Sequence, residues 1–448
     1  MTPEDILRFD RKVPRYTSYP TAPHWQPGVA AETYRDWLAT IGNGDQCSLY
    51  FHVPYCTDMC WYCGCHTKIV KQYQPVANYA AVLRQELALV NGAIPGVPTV
   101  THVHWGGGTP TMLSPRDFSS LMETTRRHFR FADDAEVAVE IDPRTLTKSM
   151  ASALSMAGVN RASIGVQDFN AHVQKAVNRI QPYEITERAV AWLRDAGINP
   201  INLDLMYGLP GQSTDDVIHT VDLAHTLAPD RLAVFGYAHV PWMKPHQRMI
   251  DEEALPGRPE RMAQANAVAK RLAKHGYRSI GLDHFARADD ALAIAIDQGR
   301  LRRNFQGYTS DPAPVLLGFG ASAIGSLPQG YVQNWAPLRA YARCIQDGRF
   351  AVIRGVELTA DDRLRRAVIE RLMCALEVDL AATAARFGMA ERFEPELDAL
   401  VSMEAMGLVE VNGSHIRVTD KGRPLMRTVA AVFDRYLETG GARHSHTV

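Results

Sequence analysis

Strand-like apolar runs alternate with amphipathic helical segments from residue 48 onward in this chain of 448 residues. The predicted strands cover residues 48–53, 101–105, 136–141, 161–166, 201–206 and 232–236. Helical patterns lie between them at residues 79–90, 185–196 and 217–227. This alternation is typical of parallel sheets, because each return to a parallel neighbour needs a crossover long enough to hold a helix. We therefore predict an α/β fold built around a partial parallel (β/α)6 barrel.

The composition is that of a globular protein. Hydrophobic residues make up 46% of the chain and charged residues 22%, which favours neither disorder nor a membrane protein. No apolar run approaches the roughly 18 residues that span a bilayer, and the amino terminus lacks an apolar signal core. We expect a cytoplasmic protein, where thiols stay reduced. The net charge of -1 argues against a nucleic-acid partner, and no heptad pattern demands a second copy, so we expect a monomer.

Four cysteines crowd into one loop directly after the first predicted strand. Cys56, Cys60 and Cys63 form a CxxxCxxC triplet, and Cys65 follows it. Thiolates select iron–sulfur clusters, zinc or cuprous copper, but no second CxxC pair is present to close a structural zinc site. Three thiolates would leave one iron of a four-iron cluster open to another ligand. By analogy with catalytic zinc sites, which keep one position open, this arrangement indicates chemistry rather than scaffolding.

Polar residues or glycines follow nearly every predicted strand. In a parallel barrel the carboxyl ends of the strands share one rim, where the working residues collect. From the second strand to the sixth these ends carry Gly106 to Thr109, Glu140 and Asp142, Gln167 and Asp168, Asp204, and Tyr237 to His239. A glycine segment that a ligand can approach closely, a carboxylate for a ribose and an arginine nearby, Arg179, would suit a nucleoside with an amino-acid tail.

Each of these features also has a purely structural interpretation. The glycines can form a simple turn, and Glu140 and Asp142 can cap the next helix. His102 and His104 face one side of a strand, where a metal pair is conceivable but a structural role is more common. The isolated cysteines are most simply small buried hydrophobic residues: Cys47, Cys344 and Cys374. The agreement between independent strand ends favours the functional interpretation.

Two groups of motifs resemble known families. The triplet with Tyr62 before its third cysteine, followed by GGGTPT at residues 106–111, resembles the radical S-adenosylmethionine (SAM) superfamily. Cys65 after Gly64, RYTSYPT at residues 15–21 and NLDLMYGLP at residues 202–210 are similar to the oxygen-independent coproporphyrinogen III oxidase family. This similarity extends from the amino-terminal arm to residues 443–445.

The resemblance implies a [4Fe-4S] cluster held by Cys56, Cys60 and Cys63, with its open iron chelated by SAM. Cys65 is not expected to be a ligand. Two molecules of SAM are implied, and the matching positions around the first are Tyr50, Gly107, Glu140 and Ile324. Around the second they are Tyr62, Gly108, Thr109, Gln167, Arg179, Asp204 and Ala238. The family usually has phenylalanine where this chain has Tyr62, and the ring needed for stacking is retained.

The resemblance also implies a reaction. Two propionate side chains of coproporphyrinogen III lose carbon dioxide and become the vinyl groups of protoporphyrinogen IX. Because the hydrogen on the propionate β-carbon is not acidic, a 5′-deoxyadenosyl radical derived from SAM abstracts it, and loss of carbon dioxide and one electron completes the alkene. The partners implied are a tetrapyrrole substrate and an electron donor and acceptor that the sequence does not identify.

Related proteins of the superfamily leave alternatives open. A haem-carrying chaperone generally lacks both the long arm and the cysteine after Gly64, which this chain has. A haem-degrading methyltransferase is the second alternative. A structural or electron-transfer protein would instead close the cluster with Cys65 as a fourth ligand.

Three domains are predicted. Residues 1–30 form an arm over the active site, residues 31–358 the catalytic barrel, and residues 359–448 a mostly helical, winged-helix-like domain. In the last domain we expect helices at residues 361–377 and 395–405, a hairpin at 409–418 and a solvated basic helix face at 363–366. We also expect residues 16–20 to fold over the barrel mouth. Candidate partners for the four substrate carboxylates are Arg11, Lys12, Arg15, Arg302 and Arg303.

Overall fold

The computed structural model describes residues 8–390 and 393–437. Its strands are β1 (Gln46–Val53), β2 (Tyr55–Cys56), β3 (Lys68–Ile69), β4 (Thr99–Gly107), β5 (Arg130–Ile141), β6 (Arg161–Gln167), β7 (Ile201–Tyr207), β8 (Arg231–Gly236), β9 (Arg278–Ile280), β10 (His284–Ala286), β11 (Arg302–Asn304), β12 (Gly307–Thr309), β13 (Val315–Phe319), β14 (Ile324–Leu327), β15 (Gly330–Asn334), β16 (Val352–Glu357), β17 (Glu377–Asp379), β18 (Val409–Asn412) and β19 (His415–Val418). Its α-helices are α1 (Ala31–Leu38), α2 (Gln74–Asn91), α3 (Pro115–His128), α4 (Lys148–Met156), α5 (Ala171–Ala176), α6 (Tyr183–Asp195), α7 (Thr214–Thr226), α8 (Arg258–Lys274), α9 (Ala291–Asp297), α10 (Leu338–Gln346), α11 (Ala360–Ala375), α12 (Leu380–Arg386), α13 (Glu394–Ala405) and α14 (Met426–Ala431). Short 3₁₀ turns are found at Ala22–His24, Pro110–Met112, Pro245–Met249, Glu252–Ala254 and Arg423–Leu425.

One mixed sheet of twelve strands organises the described part of the chain. Its order is β16-β15-β14-β13-β1-β4-β5-β6-β7-β8-β10-β9. The strands from β13 to β8 pair in parallel, and antiparallel strands flank them on both sides. The α/β prediction is confirmed. All six predicted strands lie in the parallel part of the sheet, and the three predicted helices between them are present as α2, α6 and α7. The parallel strand β13 was not predicted.

Side chains along β1 alternate between two environments, as the period of a strand requires. Leu49 and Phe51 are buried in the large core between the sheet and its helices. The ring of Phe51 stacks on Trp105 of β4 at a centroid distance of 4.1 Å and on Phe319 of β13 at 5.0 Å. The intervening residue Tyr50 is only partly buried and faces the polar interior of the barrel. The apolar face therefore holds the barrel together, while the polar face is left for the site.

Helix α2 fixes the carboxyl ends of β1 and β13 through two buried side chains. Tyr79 Oη donates to the carbonyl of His52 at 2.8 Å. The carboxylate of Glu86 accepts hydrogen bonds from the Gly320 amide at 2.7 Å, from Asn334 Nδ2 at 2.7 Å and from Tyr341 Oη at 2.6 Å. Burial raises the pKa of Glu86 to about 7, against the opposing effect of these donors.

A second core joins the amino-terminal arm to the carboxyl-terminal region. Val13, Tyr16 and Tyr19 are buried in the same apolar cluster as α11, α13, α14 and the sheet β17-β19-β18. Tyr16 Oη donates to Asp434 Oδ2 at 3.0 Å. The predicted helices and hairpin of this region are confirmed. Residues 1–7, 391–392 and 438–448, including the resemblance at 443–445, lie outside the described residues.

The expectation of a solvated helix face at residues 363–366 is wrong at Arg365. This side chain is 4% exposed and forms ion pairs with Asp361 at 3.0 Å and with Glu396 at 2.8 Å. It also donates to the carbonyl of Phe433 at 3.0 Å. A run of arginines does not indicate which acidic side chains the fold will bring beside it. Here two acidic side chains form ion pairs with the buried guanidinium of Arg365.

Among the described residues, no helix combines the length and apolar character needed to cross a bilayer.

Replacing Glu86 with alanine should lower the free energy of unfolding by about 3 kcal/mol, because three buried donors lose their acceptor. Urea unfolding followed by tryptophan fluorescence measures the change. Glu187→Ala, at an exposed position of α6, is the matched control. A loss no larger than that of the control contradicts the role given to Glu86.

Candidate active site

The cysteine loop leaves the barrel at β2 and returns at β3. The Lys68 amide donates to the carbonyl of Pro54 at 2.7 Å, and the Val70 amide donates to that of Cys56 at 3.0 Å. Cys60 is buried inside the loop, and Cys65 is exposed. The two ends of the loop are therefore fixed to each other, and its cysteines lie at the carboxyl end of β1.

Two arginines contact the thiol of Cys60. Arg179 Nη1 lies 3.4 Å from Cys60 Sγ, and Arg144 Nη2 lies 3.6 Å from it. Asp142 Oδ2 lies 2.6 Å from Arg144 and 3.5 Å from Arg179. Burial would raise the pKa of Asp142, but the two guanidinium groups hold it below its usual range. One carboxylate therefore faces two cations, and the remaining positive charge can be balanced by a thiolate ligand.

Asp142 does not cap a helix. The next helix, α4, begins after Thr147, whose hydroxyl accepts from the Met150 amide. The interpretation of Asp142 as a cap is therefore wrong. Arg144, two residues further along, was missed by the sequence analysis, although its position at the end of the third predicted strand was a signal for it.

A 3₁₀ turn at Pro245–Met249 and the residue before it hold the far side of the loop. Gln247 Nε2 donates to the carbonyl of Tyr62 at 3.0 Å, and Lys244 Nζ donates to that of Cys65 at 3.0 Å. His246 Nε2 lies 2.7 Å from the carbonyl oxygen of Cys63. No sequence pattern pointed to these residues, because they lie some 180 positions away from the carbonyls they contact.

The four positions expected around the first SAM molecule are neighbours in the barrel. The two oxygens of Glu140 lie 3.0 Å from His104 Nε2 and 3.0 Å from the Gly107 amide. Burial would raise the pKa of Glu140, but these donors lower it overall. The ring of Tyr50 stacks on His104 at 6.0 Å. Ile324 lies on the other side of β13 from Tyr50. Tyr50 pairs with Gly318 of β13, and a Cβ placed on Gly318 would lie 2.4 Å from the Ile324 carbonyl oxygen.

Most positions expected around the second molecule gather at the cysteine loop. Thr109 Oγ1 lies 3.4 Å from Cys56 Sγ. Arg179 also donates to the carbonyl of Gly165, at 2.6 Å. A Cβ on Gly165 would meet both Gln167 Nε2 at 3.1 Å and Arg179 Nη2 at 3.2 Å, which places those two side chains together.

Tyr62 and Ala238 are linked through one side chain. Gln247 Nε2 lies 3.0 Å from the carbonyl of Tyr62 and 3.4 Å from that of Ala238. Asp204 is separate from this group and lies inside the barrel, where it accepts from Ser163 at 2.9 Å and from Asn202 at 2.8 Å. Burial and the charge of Glu140 raise the pKa of Asp204 to about 6.

The glycine segment packs against protein atoms. A Cβ on Gly106 would lie 2.8 Å from Glu140, one on Gly107 would lie 2.6 Å from the His52 ring, and one on Gly108 would lie 2.7 Å from the Tyr55 carbonyl oxygen. Gly107 also has a φ of +113°, which favours glycine. The glycines of this segment therefore allow other parts of the chain to pack closely against it. This includes Gly108, which was expected to allow the close approach of a ligand.

The two strand histidines pair with carboxylates. His102 Nδ1 lies 3.1 Å from Asp311, and His104 Nε2 lies 3.0 Å from Glu140. Within residues 8–390 and 393–437, no group of three or more His, Cys, Asp or Glu side chains is arranged to hold a single metal ion. These contacts support the structural interpretation of the histidines.

The loop has the donors that a multi-iron cluster needs. Such a cluster is wider than one ion and would be held by cysteine thiolates, and Cys56, Cys60 and Cys63 lie in one short loop. The arginines beside Cys60 and the hydroxyl of Thr109 beside Cys56 could donate hydrogen bonds to the sulfurs of such a cluster. The residues present therefore fit an iron–sulfur cluster with one open position.

Two cavities meet the site. A cavity of ≈ 210 Å³ lies inside the barrel and is lined by both Glu140 and Asp204. A larger cavity of ≈ 640 Å³ begins at Ala238 and lies between the barrel, the arm and the carboxyl-terminal region. Of the five basic residues proposed for the substrate, Lys12 and Arg15 line the larger cavity.

The other three basic candidates lie elsewhere. Arg302 and Arg303 line a separate cavity of ≈ 80 Å³ together with Tyr16 to Tyr19, and Arg11 is exposed. Residues 16–19 are thus held against the carboxyl-terminal region, and the part of the arm that faces the larger cavity comes before them.

Family models match two parts of the chain. The radical SAM superfamily matches residues 50–224, and the HemN C-terminal domain matches residues 358–425. The chain is 51% identical over 444 residues to the oxygen-independent coproporphyrinogen III oxidase of Bradyrhizobium diazoefficiens, with 98% of each chain covered. It is 39% identical over 444 residues to the protein of that name from Synechocystis sp., with 97% of this chain and 95% of the relative covered.

A solved structure agrees over almost the full length. Coproporphyrinogen III oxidase (HemN) from Escherichia coli, described as a radical SAM enzyme, superimposes with a TM-score of 0.90 at 37% sequence identity. The match covers 95% of this chain and 100% of the other.

Asp204→Asn should change how stability depends on pH. Because the folded-state pKa of Asp204 is raised from 3.8 to about 6, its stabilising contribution is full below its ordinary pKa and is lost as the pH rises through about 6. The asparagine variant lacks this loss, so its stability relative to the natural chain should rise by about 1–2 kcal/mol between about pH 5 and about pH 7.5. Urea unfolding at both pH values measures it, with the exposed Asp195→Asn as control. A difference that does not vary with pH contradicts the assignment.

Proposed function

The chain belongs to the oxygen-independent coproporphyrinogen III oxidase family of radical SAM enzymes, and from this membership we propose that it decarboxylates two propionates of coproporphyrinogen III to vinyl groups, forming protoporphyrinogen IX. The observation that carries this proposal is the place of the cysteine loop. Its cysteines lie at the carboxyl end of the barrel, with the thiol of Cys60 beside Arg179 and Arg144. The carbonyl of Tyr62 in this loop is joined through Gln247 to Ala238, which lines the larger cavity.

In this proposal Cys56, Cys60 and Cys63 hold a [4Fe-4S] cluster, and Cys65 is not a ligand. Cluster and SAM together supply, when bound, a carbon radical that abstracts a hydrogen atom from the propionate β-carbon. Arg144 and Arg179 balance charge at Cys60, and Gln247 holds the backbone of the loop. A carbon radical would react with molecules that enter from solvent, so a site enclosed by the arm and the carboxyl-terminal region suits this chemistry.

Two sets of residues are proposed to bind two SAM molecules. The first set is Tyr50, Gly107, Glu140 and Ile324, in which the ionised Glu140 is an acceptor for polar groups of the ligand. The second set is Tyr62, Gly108, Thr109, Gln167, Arg179, Asp204 and Ala238. The separation of Asp204 from the rest of its set, inside the barrel with Glu140, favours contact with a different part of the bound ligand from the part near Tyr62.

The remaining features of the proposal concern context. The substrate is a tetrapyrrole, and the enzyme requires an electron donor and an electron acceptor of unidentified nature. We propose a cytoplasmic monomer that binds no nucleic acid. Residues 1–30 and 359–448 are proposed to enclose the barrel of residues 31–358, in keeping with the shared core of the arm and the carboxyl-terminal region.

Anaerobic turnover tests the proposed function. The reconstituted protein is incubated with dithionite, SAM and coproporphyrinogen III, and mass spectrometry follows tetrapyrroles and 5′-deoxyadenosine. We expect loss of two molecules of carbon dioxide per substrate, and no product from Cys60→Ala. Formation of 5′-deoxyadenosine with an untouched substrate would show that the substrate assignment is wrong. Tight haem binding with neither product would favour a haem-binding chaperone.

Cys65→Ser separates three-thiolate from four-thiolate binding of the cluster. Because Cys65 is exposed and its amide, at 3.4 Å from Cys63 Sγ, can donate without the thiol, the serine variant should keep its iron content. Iron and sulfide analysis and the visible absorption of the reconstituted protein measure it, with Cys63→Ser as the control that loses the cluster. Loss of iron from Cys65→Ser would support a closed, four-cysteine site.

A further inference from the structure

The larger cavity has the form of a site for a bulky anion. Its volume of ≈ 640 Å³ falls within the range of about 300–1,000 Å³ that is common for small-molecule sites. Apolar side chains such as Met262, Val268 and Phe285 form part of its wall. The basic side chains that line it are Lys12, Arg15, Arg258, Arg261, Arg423 and Arg427, against the acidic pair Asp283 and Asp420. Apolar walls with an excess of cations match a macrocycle that carries several carboxylates.

One of the two acidic side chains is already neutralised. Asp283 lies 2.7 Å from His284 and 3.9 Å from Arg303, and these neighbours hold its pKa well below its usual range despite its burial. The carboxylate of Asp283 is therefore paired with neighbouring protein groups, and the charged side chains that line the cavity keep a net positive charge.

Arg261 differs from the other arginines of the cavity. Arg15 donates to the carbonyl of Gly236 at 3.0 Å, and Arg423 donates to that of Gly281 at 3.2 Å. Within the described part of the chain, the guanidinium of Arg261 forms neither an ion pair nor a hydrogen bond. Burial lowers its pKa and the nearby charge of Arg15 acts in the same direction, against the opposite effects of Tyr207, Asp10 and Tyr237. This partly buried guanidinium, next to the second cation Arg15, would be stabilised by a bound anion.

Two glycines make room for this guanidinium at the barrel rim. A Cβ on Gly208, which follows β7 and has a φ of +81°, would lie 2.5 Å from Arg261 Nη1. A Cβ on Gly236, the last residue of β8, would lie 3.2 Å from Arg261 Nη2. The group also lies 5.8 Å from the ring of Tyr207. Arg261 is thus held at the carboxyl ends of β7 and β8, close to Ala238, where the cavity approaches the cysteine loop.

We propose that Arg261 and Arg15 together bind one propionate carboxylate of the tetrapyrrole substrate, on both sides of Gly236. This inference rests on the proposed function for the identity of the ligand. Bound there, the carboxylate would neutralise two neighbouring cations, and the macrocycle would lie along the apolar wall of the cavity. The pair therefore sets the orientation of the substrate relative to the barrel rim.

Binding of coproporphyrin III, the oxidised and stable form of the macrocycle, tests the pair without turnover. Titration into the reconstituted protein, followed by porphyrin fluorescence, should show affinity about 10-fold to 100-fold weaker for Arg261→Ala, because charge-assisted hydrogen bonds are lost. Arg261→Lys should recover part of the affinity. Coproporphyrin III tetramethyl ester, which has no carboxylates, should bind the natural chain and Arg261→Ala equally. Arg339→Ala, at an exposed position of α10, is the matched control.

Combining Arg261→Ala with Arg15→Ala should weaken binding less than the product of the two single effects, because both residues contact the same carboxylate. Circular dichroism, iron content and SAM binding should stay unchanged in each variant, which separates a binding defect from misfolding. Unchanged coproporphyrin III affinity in Arg261→Ala, with normal turnover by the natural chain, overturns this inference and leaves the proposed function intact. If the natural chain neither binds coproporphyrin III nor converts coproporphyrinogen III, both this inference and the proposed function are overturned.

Discussion

The buried guanidinium of Arg179 joins the cysteine loop to the barrel. It contacts Cys60 Sγ, the carbonyl of Gly165 at the end of β6, and Asp142 after β5. A buried cation has a large desolvation cost unless acceptors surround it, so these three contacts fix its position and that of the loop together. The adjoining Arg144 leaves this group with a net positive charge when the thiol is neutral. A thiolate at Cys60, as proposed for a cysteine bound to the cluster, would balance this charge.

The barrel interior is polar for a reason that follows from the sheet. Each parallel strand directs alternate side chains outward into the apolar core, as Phe51 and Trp105 show, and leaves the others inside. The inner set pairs within itself, for example His104 with Glu140, and Ser163 with Asp204. Glu140 and Asp204 both line this interior, and their different partners separate their pKa values, with that of Glu140 lowered and that of Asp204 raised. Such separation is common where a polar ligand is bound.

The carboxyl-terminal region and the arm share one core, and the larger cavity lies where that core meets the barrel. Tyr16 and Tyr19 are anchored on this region, so Lys12 and Arg15, which precede them, are directed to the cavity. The buried ion pairs of Arg365 stabilise the same region from inside. Three separated segments therefore line the larger cavity, an arrangement that suits the exclusion of solvent from the proposed reaction.

The sequence by itself determined the α/β class, the six parallel strands and the cysteine triplet, because these depend on local periodicity and short spacing. It also placed Glu140, Gln167 and Arg179 near one rim, since parallel strands end at one edge of a sheet. Only the tertiary structure decided the parallel pairing of β13, the packing of the glycine segment on His52 and Tyr55, and the burial of Arg365. It alone brought His246 to the carbonyl of Cys63, 183 residues away, and Arg261 beside Gly208 and Gly236. Such contacts arise when distant segments pack together, and no local pattern records which side chains will meet.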